Sequence, residues 1–370
     1  MIAKILHEMF EQAGVNINGD KPWDVQVHDS KWYRRSLQEK NHGLGESYMD
    51  GWWDCEQIDE MIYRLLIGGL DDKLKGNFRY SLRFLPDILF NLQSRARIHM
   101  VAKQHYNLGN DLFDSFLDPY HQYSCGFFDI TNDLDQAQLK KMDLIARKLH
   151  LSATDHVLDI GCGWGGLAYY AAERYGCKVT AANISHEQLS VARERCKHIS
   201  VDFHEGDYRT IKGQFDKIVS VGMFEHVGQK NYRTFMQVVH SLLKNDGIFL
   251  LHTIGNNTSM AHCDPWITKY IFPNSMLPSL RQISDATENL FVIEDVHNLG
   301  PHYDKTLLAW NGKFQRAWSL LKDRYSPRFK RMWEYYLLSC AGAFRARNIQ
   351  LWQMVMIKHG VGIKQPFCRF

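Results

Sequence analysis

From about residue 150 onward, short apolar runs alternate with stretches of helical periodicity. Residues 157–160, 178–183, 201–204, 215–221, 247–254 and 291–298 read as short strands. Apolar positions at helical spacing over 166–175, 186–197, 230–243 and 279–288 separate most of them. Such alternation predicts a mostly parallel sheet with helices on both faces. Two longer helical patterns, 306–323 and 327–346, precede a last β-like run at 349–358, which fits an antiparallel edge strand and makes seven strands. The first hundred residues follow another pattern. Helical periodicity is predicted at 31–40, 56–69 and 81–93, and 43–53 reads as a structured loop leading into a helix. Ile2, Ile5, Leu6, Met9 and Phe10 form one apolar stripe, suited to the protein's own core or, in a sharper reading, to a lipid surface. With no nucleotide signature in this part, 1–95 is read as a smaller, mainly helical accessory domain and 96–370 as the catalytic domain. Residues 93–103, with Arg95, Arg97 and Lys103, form the connection.

Composition narrows the function classes. A chain of 370 residues is long enough for two cores, and 45% hydrophobic with 23% charged residues is an ordinary folded composition. A net charge of +3 is too mild for nucleic acid but compatible with brief contact with an anionic bilayer. The 8 cysteines are scattered without a CxxC pair or metal-ligand spacing, so reduced thiols and a cytoplasmic location are expected. His7 and Glu8 interrupt the N-terminal apolar run, which is therefore not a signal peptide. No stretch approaches the ~18 apolar residues of a membrane span, so a protein of this kind would meet lipid from outside the bilayer.

The strongest motif is 157–166 (VLDIGCGWGG), where a strand runs into a turn with four glycines in six residues and then a helix. Glycines let the backbone approach a ligand and present N–H groups at a helix N-terminus. Gly161, Gly163 and Gly166 also satisfy GxGxxG. A dinucleotide site, however, needs an acid at the end of the next strand, and that strand ends at Asn183. Asp159, two residues before the first glycine, suits the ammonium group of S-adenosylmethionine, which NAD lacks. Asn183, Ser185 and Gln188 follow the second strand, with Gln188 placed to meet ribose hydroxyls. Asp207 and Tyr208 follow the third, where adenine is usually contacted; Asp207 reads equally as a turn residue.

At this point a family resemblance emerges. Residues 43–53 (GLGESYMDGWW), 105–113 (HYNLGNDLF), 122–125 (QYSC), 159–166 (DIGCGWGG), 221–228 (VGMFEHVG), 250–255 (LLHTIG), 264–273 (DPWITKYIFP) and 340–347 (CAGAFRAR) resemble, in order and spacing, the bacterial cyclopropane-fatty-acyl-phospholipid synthases. The resemblance runs nearly the whole length. It implies a Rossmann-like class I methyltransferase fold, S-adenosylmethionine as donor and bicarbonate as base. Tyr123, Ser124, Gly161, Gly163, Ser185 and Gln188 would line the cofactor site. Cys125, Glu225, His252, the backbone at Ile254, and Tyr303 would hold bicarbonate. Cys340 matches a cysteine assigned to catalysis in such enzymes, although its place among small residues in a helical pattern reads as a buried inert thiol. Relatives commonly carry Thr where this chain has Asn183, which implies a retuned contact. The resemblance further implies a homodimer that associates peripherally with the inner face of the membrane, its accessory domain engaging lipid.

The chemistry asks for these groups. An isolated alkene must meet the sulfonium methyl in line, in a dry site, with a base for the departing proton. His252, Tyr303, the Cys125 thiol and backbone N–H groups can donate to a small anion, while Glu225 accepts from its hydroxyl. Without those partners His252 reads as a core histidine, Tyr303 as a surface aromatic and His226 as structural. Phe127, Phe128, Trp266, Tyr270 and Phe272 are candidates for an acyl tunnel or for ordinary core. Lys269, Arg281, Arg345 and Arg347 are candidates for lipid phosphate or for solvated surface. Two rivals stay open: a methyltransferase acting on an amine or giving a methyl-branched chain, and a catalytically silent binding protein.

Overall fold

A computed structural model describes residues 2–69, 109–260 and 263–361. The predicted helix at 81–93, the connection at 93–103 with its three basic residues, and the 105–108 part of one motif lie outside the described residues. In chain order the elements begin with α1 (Ile2–Gln12), β1 (Gln26–Val27), α2 (Lys31–Glu39), α3 (Asn41–Met49), β2 (Trp53–Asp54) and α4 (Ile58–Ile67). Then come α5 (Asn110–Asp114), α6 (Leu134–Lys148), β3 (His156–Ile160), α7 (Gly166–Tyr175), β4 (Lys178–Asn183), α8 (His186–Arg195), β5 (Val201–Glu205) and β6 (Phe215–Val221). The chain continues through α9 (Tyr232–Leu242), β7 (Leu243–Asn256), α10 (Pro265–Tyr270), α11 (Leu280–Thr287) and β8 (Phe291–Asn298). It closes with α12 (Gly300–Leu321), α13 (Pro327–Arg345) and β9 (Ile349–Lys358).

These elements form two compact units. One holds α1–α4, α10, most of α12 and α13; the other holds α5–α9, α11, β3–β8 and β9 from Gln350 onward. In the second unit a seven-stranded sheet runs β5-β4-β3-β6-β7-β9-β8. Parallel pairing joins β5, β4, β3, β6 and β7. At the edge, β8 pairs antiparallel with β9. The sheet is buried on both faces because its residues alternate. Leu158, Ile218, Phe249 and Leu251 pack with Phe235 and Val239 of α9 and Ile283 of α11. Val157, Val219, Ile248 and Leu250 pack with Ile145 of α6 and Leu167 and Ala171 of α7. Side-chain caps fix some of the helix starts. Asp133 accepts the Gln136 N–H at 2.9 Å, and Ser279 with Gln282 forms a reciprocal capping box.

The first unit departs from its sequence pattern at 43–53. Asn41–Met49 is helix rather than loop. A Cβ on Gly45 would lie 2.5 Å from Trp266 Nε1 and 2.8 Å from the Tyr335 ring, so glycine is what lets α3 close on α10 and α13. Packing thus overrides glycine's poor helix propensity. The same unit ties residues below 69 to segments far along the chain. Arg345 reaches Asp59 at 2.6 Å, Glu60 at 3.0 Å and Asp304 at 3.0 Å. Arg345 is therefore a structural hub, not a free cation awaiting phosphate. Of the N-terminal stripe, Leu6 and Phe10 are buried whereas Ile2 and Ile5 are exposed. No helix among the described residues is long and apolar enough to cross a membrane.

Candidate active site

The order of strands around β3 reverses there: the chain goes from β3 through β4 to β5, then crosses to β6 on the other side. In open α/β sheets the carboxyl ends of strands at such a switch point form the ligand crevice. Asp159 is the penultimate residue of β3, the glycine turn follows it, and Glu225 lies in the short 3₁₀ turn Phe224–His226 just after β6. His252 is in β7, where its carbonyl accepts the Gly222 N–H at 2.9 Å.

The glycine turn is fixed by the neighbouring strand. Gly161 and Cys162 both donate to the Ala182 carbonyl, at 2.8 and 3.1 Å. Gly163 has φ +54° and nothing within 4 Å of where a Cβ would stand, so it offers open backbone to a ligand. Asn183 braces this turn: its amide donates to Gly163 O at 3.3 Å and to Gln188 Oε1 at 2.8 Å. Ser185 caps α8 by accepting the Gln188 N–H at 3.3 Å. Ser185 and Gln188 are both buried. Asp207 takes the turn role, accepting the Arg209 N–H and engaging the Arg209 guanidinium with both oxygens.

Asp159 is buried, with Oδ2 lacking a partner among the described residues. Burial pushes its carboxyl up to about 7, against the pull of the Lys141 ammonium. A buried carboxylate oxygen without a partner among the described residues, at the end of the strand that runs into the half-buried glycine turn, fits the ammonium group of S-adenosylmethionine.

Sequence reasoning missed α6 and two of its side chains. Lys141 is fully buried and donates to Gln122 Oε1 and, at 3.0 Å, to Ser124 Oγ. One turn earlier, Gln138 donates to the Ser124 carbonyl at 2.8 Å. Together they hold the segment carrying Tyr123, Ser124 and Cys125. Tyr123 packs edge-on against Phe113, ring centroids 5.2 Å apart. Gln138 and Lys141 at helical spacing among apolar residues were the available signal. Cys125 is fully buried, its thiol directed at the Gly126 carbonyl at 3.1 Å and the Leu299 carbonyl at 3.9 Å.

Glu225 is buried, and its Oε1 accepts the Ile254 N–H at 2.6 Å, while Oε2 has no partner among the described residues. Burial pushes Glu225 up to about 7, partly offset by the Ile254 N–H, its own N–H and Thr253. The Ile254 N–H, expected to meet an anion, is thus spent on Glu225. His252 is buried, with Nε2 lacking a partner among the described residues and Nδ1 3.2 Å from the Gln353 amide nitrogen. Burial, reinforced by Lys141 and Lys148, holds its imidazole well below the usual histidine range, so it is neutral. His226 is pushed down to about 4 by its apolar surroundings.

The remaining predicted residues belong to the first unit, apart from Phe127, Phe128 and Arg281. Tyr303 is buried and stacks on Phe344 at 4.6 Å. The Cys340 thiol is pushed up to about 12 by burial, with Asp264 and Cys263 adding to the effect, so it is protonated at neutral pH. Trp266 packs on Tyr335 at 4.8 Å and Phe272 on Tyr336 at 5.9 Å, while Tyr270 donates to Glu46 at 2.5 Å. Lys269 also binds Glu46, and exposed Arg281 approaches Asp285 at 3.9 Å. In the second unit Phe127 packs on His302 at 4.9 Å, and the Phe128 N–H donates to that ring at 3.1 Å.

Comparison with known proteins adds to this geometry. The family model described as mycolic acid cyclopropane synthetase matches residues 93–354. A cyclopropane-fatty-acyl-phospholipid synthase of Escherichia coli (strain K12) is 52% identical over 352 residues, 95% of this chain and 92% of that protein. A tuberculostearic acid methyltransferase of Mycobacterium tuberculosis is 33% identical over 86% of this chain and 79% of its own length. Among solved structures, a mycolic acid cyclopropane synthase complexed with SAH and CTAB matches with a TM-score of 0.66 and 31% identity, covering 70% of this chain and 97% of that one.

Proposed function

The chain belongs to the mycolic acid cyclopropane synthetase family, and we propose from this that it builds a cyclopropane ring across the cis double bond of an unsaturated phospholipid acyl chain. The donor is S-adenosylmethionine, which supplies an electrophilic methyl group on a sulfonium. Asp159 would take its ammonium, the backbone of Gly161 and Gly163 would lie against it, and Gln188 would meet its ribose, with Ser185 lining the same site. Tyr123 and Ser124, held by Gln138 and Lys141, close the same site. Asn183 acts through Gln188 and Gly163 rather than by direct contact alone.

The alkene π electrons bond to the methyl carbon as the carbon–sulfur bond breaks. A proton then leaves the transferred carbon, and the electrons of that C–H bond close the ring. The net change is one methylene gained by the lipid and one proton released. The proton needs a base that does not itself capture the cation, and bicarbonate meets that need. The observation that carries this reading is that two of the buried atoms without a partner among the described residues are Glu225 Oε2 and His252 Nε2. One is an acceptor and the other, on a neutral ring, a donor or acceptor. That combination suits an anion that has both an O–H and bare oxygens. Cys125, in the same unit, joins them in the proposed set, and the family resemblance implies a role for Tyr303. Glu225, with its carboxyl near 7, is suited to share a proton with the anion.

In this reading 1–95 is the lipid-engaging accessory domain and 96–370 the catalytic one. The enzyme works as a homodimer at the inner face of the membrane. The test is direct: unsaturated phospholipid vesicles are incubated with the chain and donor labelled in the methyl group, and the acyl chains are analysed. Cyclopropane acyl chains bearing label, formed faster when bicarbonate is restored to depleted buffer, support the proposal. Label recovered only in methyl-branched chains, or none in lipid, sinks it.

A further inference from the structure

The His252 ring has a neighbour that the proposed chemistry has not used. Gln353 lies in β9, the strand next to β7 in the sheet, and is fully buried. It interrupts a strand whose flanking residues Leu351, Trp352, Met354, Val355 and Met356 are buried and apolar. Burying an amide there is costly unless it has a task. Its Nε2 stands 3.2 Å from His252 Nδ1.

An amide nitrogen carries two hydrogens and accepts nothing. A ring nitrogen facing it must therefore present its lone pair. The neutral imidazole has a single N–H, which is left to Nε2, the atom without a partner among the described residues. Protonation at Nδ1 would set two N–H groups against each other. The charged ring is also opposed by Lys141, which is buried, and by Lys148, itself paired with Asp295 at 3.0 Å.

We propose that Gln353 is a positioning residue that fixes His252 as its Nε2–H tautomer, making it a permanent hydrogen-bond donor to the reaction's anion. This rests on the reading of His252 as an anion ligand. It has a chemical consequence: with Nε2 carrying its proton and Nδ1 occupied, His252 has no lone pair free to receive the proton released by ring closure. That proton is directed to the anion. Glu225 is complementary, since Ile254 occupies Oε1 and leaves Oε2 as an acceptor for the anion's hydroxyl.

The experiment uses the full chain with ¹⁵N-labelled histidine, the His252 signals being assigned by their loss in His252→Gln. The expected result is a pyrrole-type shift at Nε2 and a pyridine-type shift at Nδ1, unchanged across the pH range in which free imidazole titrates. Gln353→Glu replaces the donor with an acceptor, so the proton should move to Nδ1 and turnover should fall by about 10²-fold. Gln353→Met keeps the volume and removes the donor; it should give mixed tautomers and an intermediate loss. That second variant decides the matter if the glutamate variant does not fold. A proton on Nδ1 in the wild-type chain, an imidazolium signal, or an inverted tautomer with undiminished turnover overturns the proposal. The tautomer is read without lipid or bicarbonate. Failure of the vesicle assay with an intact Nε2–H signal would therefore count against the proposed reaction, not against the pairing of Gln353 with His252.

Discussion

Lys141→Met separates what holds the site from what holds the fold. The Lys141 ammonium is fully buried on α6, and burial lowers it to about 8 despite the pull of Asp118, Cys125 and Asp159. Against the usual 10.5, that is roughly 3 kcal/mol of unfavourable charge burial at neutral pH. Methionine keeps most of the stem volume and removes that cost. It also leaves Gln122 Oε1 without its donor, at about 1–3 kcal/mol. The two effects nearly cancel, so the melting temperature should change little. Activity should not be spared, because the segment carrying Tyr123, Ser124 and Cys125 loses its cross-brace, and a shift of ~1 Å in such a segment costs on the order of 10²-fold in rate. The assay is methyl transfer to vesicles, with kcat and KM for the donor measured separately and calorimetry run in parallel. A variant with wild-type kcat/KM would refute the bracing role. A variant that melts far below wild type would refute the balance of charge burial against lost hydrogen bond.

Further expectations follow from the same structure. Glu225→Gln should lose most activity, since the glutamine nitrogen cannot accept the anion's hydroxyl. Full activity without added bicarbonate would end the shared-proton idea. Glu225 also bears on stability: its folded value, about 7, lies above the unfolded value near 4.5, so its contribution is present below about 4.5 and is lost as pH rises through 7. Calorimetry should show the glutamine variant losing less stability over that interval, with Asp159, shifted the same way, keeping part of the decline. Cys340→Ser should retain much of its activity, because a thiol near 12 is no nucleophile at neutral pH; complete loss would contradict this. Arg345→Met should cost about 2–3 kcal/mol in denaturant unfolding by stranding Asp59 and Asp304, while Glu60 keeps its pair with Arg64 at 2.9 Å. An unchanged midpoint would show that the cluster is solvent-screened.

Much of the second unit follows from the sequence alone. The glycine turn, the acid before it and the alternating strands are local patterns, because φ preference, side-chain periodicity and the reach of a single turn depend on adjacent residues. Glu225 was legible for the same reason, as an acid just past an apolar strand, whereas His252 reads locally as a core histidine and entered through the family resemblance. What only the tertiary structure decided is how distant polar groups satisfy one another. Gln353 meets His252 from 101 positions away, and Lys141 meets Ser124 through a helix packed on the sheet. The Asn183 amide joins the glycine turn to Gln188, and Arg345 leaves the set of phosphate candidates once three carboxylates close on it. Even the helix at Asn41–Met49 owes its Gly45 to rings from α10 and α13. A buried hydrogen bond is worth little as a local preference and much as an unmet need. Its partner is chosen by packing, which no window of sequence contains.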